Sequence, residues 1–248
     1  MIHRVIQIDS QHEKRTFVWL LMKPECWITK RFETYGFDMI KTVAFDLGGV
    51  IMEIDNEEPT RRFQEIGVQD ATTLLDPYTQ AGIFGDLEHG KISEEEFRQQ
   101  LSAHVGHELT WQQCQYAWLG YAKSVPKHSF PTLLRLREMG YRVVLASNTN
   151  GFMQSWVDSE KFSGDGHAVS FYFDELYRSY EMKEMKPDEG FFSYILSHEN
   201  ILPENMLFID DSPRNCAIAS KMGVLTYCPE NGTDWTGAVM DILQKDRR

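Results

Sequence analysis

Carboxylate, hydroxyl and ammonium side chains recur where short apolar segments end or a helix is predicted to begin. In chain order these residues are Asp46, Ser147, Asn148, Lys186, Asp210 and Asp211. The segments Thr-Val-Ala-Phe, Val-Val-Leu-Ala and Met-Leu-Phe-Ile precede the first aspartate, the serine and the aspartate pair, and Lys-Pro-Asp contains the lysine. Because the carboxyl ends of parallel strands meet at one edge of a sheet, we expect these side chains to converge on one crevice.

The carboxylates are suited to one kind of chemistry. A carboxylate such as that of Asp46 can attack phosphorus and form an acyl phosphate, which water then hydrolyses. The attacked group is an anion, so its charge has to be neutralised. Asp46, Asp210 and Asp211 together offer the hard oxygen ligands that Mg²⁺ prefers. The pattern therefore indicates metal-assisted phosphoryl transfer.

The remaining polar groups fit the phosphate itself. Lys186 supplies a fixed positive charge. The Ser147 hydroxyl and the backbone N–H groups of Asn148 and Thr149, which open toward a helix, can donate to phosphate oxygens. Positioning and electrostatics are most of what phosphoryl transfer requires.

Each of these short motifs has an ordinary structural explanation when it is taken alone. An aspartate after a strand is usually a turn or a cap, and Ser-Asn-Thr-Asn is a common loop and helix start. Lys-Pro-Asp and Asp-Asp-Ser-Pro are also helix starts. The specificity lies in the occurrence of all four, in this order, at successive strand or helix boundaries.

The elements that would position these residues follow an α/β pattern. Short apolar segments alternate with helical patterns, as buried parallel strands alternate with helices in a doubly wound, mostly parallel sheet. We also expect Pro187 and Pro213 to begin helices. The predicted strands are Thr42–Phe45, Arg142–Ala146, Glu175–Arg178, Met206–Ile209 and Val224–Tyr227.

A long insertion separates the first two strands. Residues 53–127 have helical patterns throughout, with capping boxes at Ser93/Glu96 and Thr110/Gln113. The insertion is too long for a simple crossover. We therefore expect a small helical cap beside the carboxyl ends of the strands, with residues 39–52 and 128–248 forming the core.

Residues 1–38 differ from the rest because they carry scattered basic residues and show no clear period. We interpret them as an extension of doubtful role. Either Met39 is the natural start, which we favour, or the segment is an appendage that packs on the core or on a partner.

The order Asp46, Ser147, Lys186 and Asp210-Asp211 resembles motifs I to IV of the haloacid-dehalogenase-like superfamily. The resemblance covers the chain from about residue 39 to its end. It implies a Rossmann-like core, a small helical cap of the C1 type, and phosphohydrolase activity dependent on Mg²⁺.

Further motifs resemble one branch of that superfamily. They are Phe-Asp-Leu-Gly-Gly-Val, Leu-Ala-Ser-Asn-Thr-Asn, the acidic pair followed by Asn215, and Glu-His-Gly-Lys-Ile-Ser at residues 88–93. The branch includes a bacterial α-D-glucose-1-phosphate phosphatase and the N-terminal phosphatase domains of epoxide hydrolases. We expect a small organophosphate substrate, such as a sugar phosphate.

The resemblance also implies a role for each site residue. Asp46 would be the nucleophile and a metal ligand, and Ser147 would bind phosphate. Lys186 would neutralise charge, and Asp211 would bind the metal directly with Asp210 in support. The remaining metal ligand would be the backbone carbonyl of Gly48.

Gly48 is also the main departure from the family pattern. Most phosphatases of the superfamily have a second aspartate there, which acts as general acid and base. General acid–base catalysis is typically worth ~10²–10⁴-fold in rate. The sequence therefore predicts an intact metal site with slowed or lost turnover, and a preference for esters of acidic alcohols.

Composition excludes several other classes. The net charge of −12 opposes binding to a nucleic-acid backbone. No segment approaches the ~20 apolar residues of a membrane span. The four cysteines and eight histidines show no zinc-like spacing, and scattered thiols are typical of a reducing compartment. We expect a cytoplasmic protein, and oligomeric state is not readable from the sequence.

Three alternatives compete with the phosphatase interpretation. A haloacid dehalogenase proper also lacks the second aspartate, but it needs no metal, and the Asp210-Asp211 pair argues against it. A binding or regulatory protein could keep the pocket without turnover. A receiver domain has similar residues, but there the acidic pair comes before the phosphorylated aspartate, which is the reverse of the order here.

Overall fold

The computed structural model describes residues 39–75 and 82–247. The predicted extension over residues 1–38 therefore lies outside the described residues. The strands are β1 (Thr42–Phe45), β2 (Glu53–Ile54), β3 (Ala122–Ser124), β4 (Arg142–Ser147), β5 (Glu175–Arg178), β6 (Met206–Ile209) and β7 (Leu225–Tyr227). The helices are α1 (Glu58–Glu65), α2 (Ala71–Leu74), α3 (Gly82–Glu88), α4 (Glu94–Val105), α5 (Trp111–Trp118), α6 (Ser129–Glu138), α7 (Gly151–Val157), α8 (Ser179–Met182), α9 (Glu189–Glu199), α10 (Pro213–Lys221) and α11 (Thr236–Asp246).

Five of the strands form a parallel sheet in the order β5-β4-β1-β6-β7. β1 lies at its centre, with Phe45 in register with Leu145 of β4 and Ile209 of β6. All three strands consequently end at the same edge, which is where the sequence places its polar residues. The α/β doubly wound fold is confirmed.

Both faces of the sheet are covered by helices, which explains why β1 is apolar at nearly every position. Val43 and Phe45 face a cluster that includes α6 and α11, whereas Ala44 faces one that includes α9 and α10. Burying a side chain of the size of Phe45 stabilises the fold by roughly 1.5–3 kcal/mol. The sheet is thus a rigid base for the residues at its edge.

Helices α1 to α5 lie between β1 and β4 in the chain and form their own aromatic core. Phe63, Phe84, Phe97 and Trp118 pack edge to face or tilted against one another. The same cluster includes Phe152 of α7, so the cap packs on the helix that follows β4. The antiparallel pair of β2 and β3 lies at the two points where the chain enters and leaves the cap.

Sequence and structure agree closely on most elements. Both predicted capping boxes are present at the starts of α4 and α5. Pro213 begins α10 as predicted, but Pro187 does not begin a helix. The N–H of Asp188 donates to the carbonyl of Met185 at 2.9 Å, which closes a turn across the proline, and α9 starts only at Glu189.

The lengths and hydrophobicity of the helices bear on membrane insertion. Among residues 39–75 and 82–247, none of the helices combines the length and apolar character that a bilayer crossing requires.

Candidate active site

Asp46 directly follows β1 and is held in place by neighbours on both sides. Its N–H donates to the carbonyl of Ile209 at 2.8 Å, which extends the pairing of β1 with β6 by one residue. Its Oδ1 accepts from the N–H of Leu47 at 2.7 Å and lies 2.9 Å from Nζ of Lys186. The side chain is 13% exposed, so the carboxylate is fixed but reachable.

Asp210 follows β6 and is fully buried. Its Oδ2 accepts from Nζ of Lys186 at 2.7 Å, and its Oδ1 accepts from the N–H of Ser212 at 2.8 Å. The amide of Asn215 lies 3.1 Å from both carboxylate oxygens. Donors on several sides hold the Asp210 carboxylate in one orientation. Its supporting role at the metal site stays a prediction.

Lys186 bridges Asp46 and Asp210 from a position that is only 1% exposed. Burial alone would lower its pKa, but the charges of Asp210 and Asp46 outweigh that effect and raise the pKa above its ordinary value. The lysine therefore stays protonated. Two of its three ammonium donors are engaged, which leaves one for a phosphate oxygen.

The side chain of Asn148 fixes the Lys186 segment. Its Nδ2 donates to the carbonyl of Lys186 at 2.8 Å, and its Oδ1 accepts from the N–H of Lys186 at 2.9 Å. The loop after β4 and the lysine segment are thereby locked together. Because the Asn148 amide is used in this way, only its backbone N–H is left for the predicted binding of phosphate.

Asp211 packs directly over Gly49, and the second glycine of the Gly-Gly pair is required for that contact. Gly49 has φ +78°, and a Cβ at this position would collide with the Asp211 carboxylate. Burial, reinforced by the charge of Asp210, raises the pKa of Asp211 to about 6. A neighbouring cation would relieve this cost.

The acidic residues fit a divalent metal ion. Asp46, Asp210 and Asp211 each offer an oxygen, and these atoms all lie within 4.8 Å of one another. Burial raises the pKa of Asp46 well above its ordinary value; Lys186 opposes the rise, and Asp210 and Asp211 add to it. Three clustered carboxylates facing one ammonium leave an excess of negative charge, and hard oxygen ligands of this kind suit Mg²⁺.

Gly48 lies in a tight turn beside these carboxylates. The backbone bridge between Gly48 and Met52 consists of the N–H of Gly49 donating to Met52 and the N–H of Met52 donating to Leu47. Neither bond uses the Gly48 carbonyl, which the resemblance to the superfamily implies as a metal ligand. That role remains a prediction.

The segment from Ser147 to Thr149, which was predicted to bind phosphate, differs from the prediction at one residue. Ser147 is 2% exposed and lines the same cavity as Asp46, and its Oγ donates to the carbonyl of Asn148 at 3.2 Å. Its role in binding phosphate stays a prediction. The N–H of Thr149, in contrast, donates to Oγ of Ser179 at 2.9 Å. The prediction that Thr149 offers its N–H to phosphate was wrong, because a hydroxyl from the start of α8 already accepts that hydrogen bond.

A cavity of about 220 Å³ lies between the sheet edge and the cap. Asp46, Gly48, Ser147, Asn148 and Asp211 line it, while the buried Lys186 and Asp210 lie behind Asp46. The cap contributes an apolar wall, formed by Leu74, Leu75, Phe84, Trp118 and Tyr121. The structure thus brings every predicted site residue into one cluster.

Glu88, the last residue of α3, also lines this cavity and was not among the predicted site residues. Burial raises the pKa of Glu88 to about 7, against the opposing charge of Lys186. The Glu-His-Gly run at residues 88–90 was the signal that could have identified it. Because Glu88 belongs to a cap helix far along the chain from the aspartates, its convergence on them is visible only in three dimensions.

Comparisons with known proteins point to one family. A model of the haloacid dehalogenase-like hydrolases matches residues 40–223. A D-ribitol-5-phosphate phosphatase of Bacteroides thetaiotaomicron is 42% identical over 205 residues, which are 83% of this chain and 99% of that protein.

Solved structures agree with this assignment. A HAD-like family hydrolase from Porphyromonas gingivalis superimposes with a TM-score of 0.79 at 42% identity, covering 83% of this chain and 98% of the other. A HAD family enzyme of B. thetaiotaomicron, crystallised with magnesium and inorganic phosphate, has a TM-score of 0.72 at 35% identity and covers 80% and 98%. Residues 40–223, which the family model matches, contain the whole cluster of aspartates and lysine. The chain therefore belongs to the haloacid dehalogenase-like hydrolases.

Proposed function

We propose that this chain hydrolyses the phosphate monoester of a small polyol or sugar with the help of Mg²⁺. The observation that supports this most directly is the placement of Lys186 between Asp46 and Asp210, with Asp211 alongside, at the base of a small cavity. The chain is a phosphohydrolase of its family, and this cluster holds the groups that such a reaction needs.

Asp46 is the proposed nucleophile. A carboxylate oxygen attacks phosphorus, the bond from phosphorus to the alcohol oxygen breaks, and the phosphoryl group is transferred to Asp46. Water then attacks the phosphorus of this intermediate and releases inorganic phosphate, which restores the carboxylate. The position of Asp46 at the end of the central strand holds it still during both steps.

The other residues hold charge in place. Asp46, Asp211, the Gly48 carbonyl and the supporting Asp210 would hold Mg²⁺, which when bound neutralises phosphate oxygens as a Lewis acid. Lys186 has a donor left for the phosphate, and the Ser147 hydroxyl and the Asn148 N–H supply two more. Fixed donors of this kind stabilise the transferring group without reorganisation during the reaction.

The substrate class rests on the relatives and on the cavity. The relative at 42% identity is a D-ribitol-5-phosphate phosphatase, and a cavity of about 220 Å³ suits a molecule of that size. A metal-independent dehalogenase has no use for the Asp210 and Asp211 pair, and the close relationship to a phosphatase disfavours a protein without turnover. A cytoplasmic location and the lack of a nucleic-acid partner stay predictions from composition.

A panel of phosphorylated polyols and sugars tests the proposal, with D-ribitol 5-phosphate, α-D-glucose 1-phosphate and 4-nitrophenyl phosphate as reference compounds. Phosphate release should require Mg²⁺, should cease with EDTA, and should be highest for a small polyol or sugar phosphate. Release that persists without any divalent metal, or activity restricted to 2-haloacids, would overturn it.

A further inference from the structure

The missing side chain at Gly48 leaves the proposed reaction without an obvious proton donor. The oxygen released in the first step becomes an alkoxide unless it receives a proton, and water in the second step must lose one. Among the described residues that line the cavity, the titratable side chains are those of Asp46, Asp211, Tyr121 and Glu88. Asp46 and Asp211 are the nucleophile and a metal ligand, so the choice lies between Tyr121 and Glu88.

Tyr121 is poorly suited to the role. Burial raises the pKa of its phenol, and the nearby charge of Glu88 raises it further. A phenol that holds its proton this strongly cannot accept one from water near neutral pH. Glu88 can exchange a proton in both directions, because burial raises its pKa to about 7 and no described residue forms a hydrogen bond or ion pair with its carboxylate. The facing charge that acts on it is Lys186.

The backbone of Glu88 is anchored to the sheet side of the site. Oγ of Ser179 donates to the carbonyl of Glu88 at 2.6 Å and accepts from the N–H of Thr149 at 2.9 Å. One hydroxyl therefore connects the end of α3 to the segment that directly follows Ser147. This contact sets the position of Glu88 relative to the phosphate-binding residues.

The next two residues, His89 and Gly90, contact the backbone of α8 and of the residue that follows it. Nε2 of His89 lies 3.0 Å from the carbonyl of Lys183. Gly90 has φ +67°, and a Cβ there would collide with the carbonyl of Tyr180, so only glycine permits this approach. The Glu88–Gly90 segment is thus a fixed cap-to-core junction, as a catalytic group requires.

We propose that Glu88 is the general acid of the first step and the general base of the second, in place of the side chain that Gly48 lacks. This rests on the phosphatase function proposed above. In the first step the Asp46–phosphorus bond forms, the phosphorus–oxygen bond of the ester breaks, and the leaving oxygen takes the proton of Glu88. In the second step the Glu88 carboxylate takes a proton from the attacking water, and Asp46 leaves as a carboxylate. Glu88 is then protonated again.

A rival role for this carboxylate is to accept hydrogen bonds from substrate hydroxyls. The two roles predict different dependences on the leaving group. A proton donor matters most when the leaving alcohol is weakly acidic, whereas a hydroxyl acceptor changes KM for polyol substrates and is indifferent to the acidity of the leaving group.

The test compares Glu88→Gln with Glu108→Gln, which changes an exposed glutamate elsewhere in the cap. For Glu88→Gln, kcat on a primary alkyl phosphate should fall by ~10²–10⁴-fold, the range typical of acid–base catalysis. With 4-nitrophenyl phosphate the first step should persist and the second should slow, so a burst of one nitrophenolate per enzyme should precede a slow steady rate. Glu108→Gln should behave as wild type.

Two controls separate a chemical role from a structural one. Unchanged Mg²⁺ affinity and far-UV circular dichroism show that Glu88→Gln is folded with its metal site intact, and Glu88→Asp should recover part of the lost rate. An equal loss of the first-step rate on alkyl and aryl esters in single-turnover measurements, or a change in KM alone, would overturn the assignment and leave the phosphatase function standing. A wild type that hydrolyses no phosphate ester would overturn both.

Discussion

Nζ of Lys186 lies 2.7 Å from Oδ2 of Asp210, and neither side chain is more than 1% exposed. The same nitrogen is 2.9 Å from the more accessible Asp46. The lysine therefore both stabilises a buried carboxylate and supplies positive charge to the phosphate site.

Replacing Lys186 with Met should abolish turnover and also destabilise the fold. Removing one partner of a buried ion pair leaves an uncompensated charge, which typically costs about 3–5 kcal/mol in the free energy of unfolding. Urea unfolding at pH 7 measures this cost, with Lys91→Met as the control because Lys91 is 57% exposed. A Lys186→Met protein of wild-type stability would show that the pair contributes nothing to folding.

The structure also predicts how Glu88 affects stability as pH changes. Its pKa of about 7 lies above the ordinary value of 4.5. Between pH 4.5 and pH 7 the folded state therefore keeps a proton that the unfolded state releases. Protonated Glu88 contributes fully to the free energy of unfolding below about pH 4.5, and this contribution is lost as the pH rises through about 7. Glu88→Gln should therefore be more stable than wild type at pH 8, by on the order of 3 kcal/mol, with little difference at pH 4. Thermal unfolding of both proteins at pH 4 and pH 8 measures this. An equal difference in stability at the two pH values would show that Glu88 does not titrate with a raised pKa.

The adjacent glycines 48 and 49 should respond differently to the same change. Gly48 has no left-handed φ, and a Cβ would lie 3.1 Å from Cγ2 of Ile54, a contact that a small shift relieves. Gly49→Ala forces both a positive φ, costing about 1–2 kcal/mol, and a collision with Asp211. Calorimetric titration with Mg²⁺ should show near-normal affinity for Gly48→Ala and a large loss for Gly49→Ala. Equal affinities would mean that the Asp211 contact does not shape the metal site.

Gly48 also permits a rescue experiment. Since its backbone conformation is open to other residues, Gly48→Asp should restore the usual acid–base group of the superfamily. In a Glu88→Gln background it should recover at least ~10-fold of the lost turnover of alkyl phosphates, within the range of general acid–base catalysis. Gly48→Asn in the same background is the matched control, because it has the same shape and no exchangeable proton of suitable pKa. Equal recovery by both variants would remove the chemical basis of the prediction.

The sequence was sufficient to predict the sheet and the polar residues at its edge, because both depend on local patterns. The apolar Thr42–Phe45 segment followed by an aspartate specifies a buried strand and the group at its end without tertiary information. The capping boxes at Ser93 and Thr110 are equally local. Each of these features is determined by a few consecutive residues.

Contacts between distant elements could not be predicted in the same way. The acceptor of the Thr149 N–H is Ser179 on α8, and the backbone of Lys186, beside Pro187, is hydrogen-bonded to the side chain of Asn148. The entry of Glu88 into the cavity depends on the packing of the cap on the core. In each case the deciding contact joins residues that no periodicity or spacing connects.

In the proposed mechanism, Asp46 carries the phosphoryl group during turnover. Rapid acid quenching of the enzyme with Mg²⁺ and substrate, followed by peptide mass spectrometry, locates that group directly. Glu88→Gln is the best protein for this measurement, because its slowed second step should let the intermediate accumulate. We predict one phosphoryl group per chain on the peptide that contains Asp46, and neither label nor turnover in Asp46→Asn. Turnover of Asp46→Asn at the wild-type rate, or a phosphoryl group on another residue, would show that Asp46 is not the nucleophile.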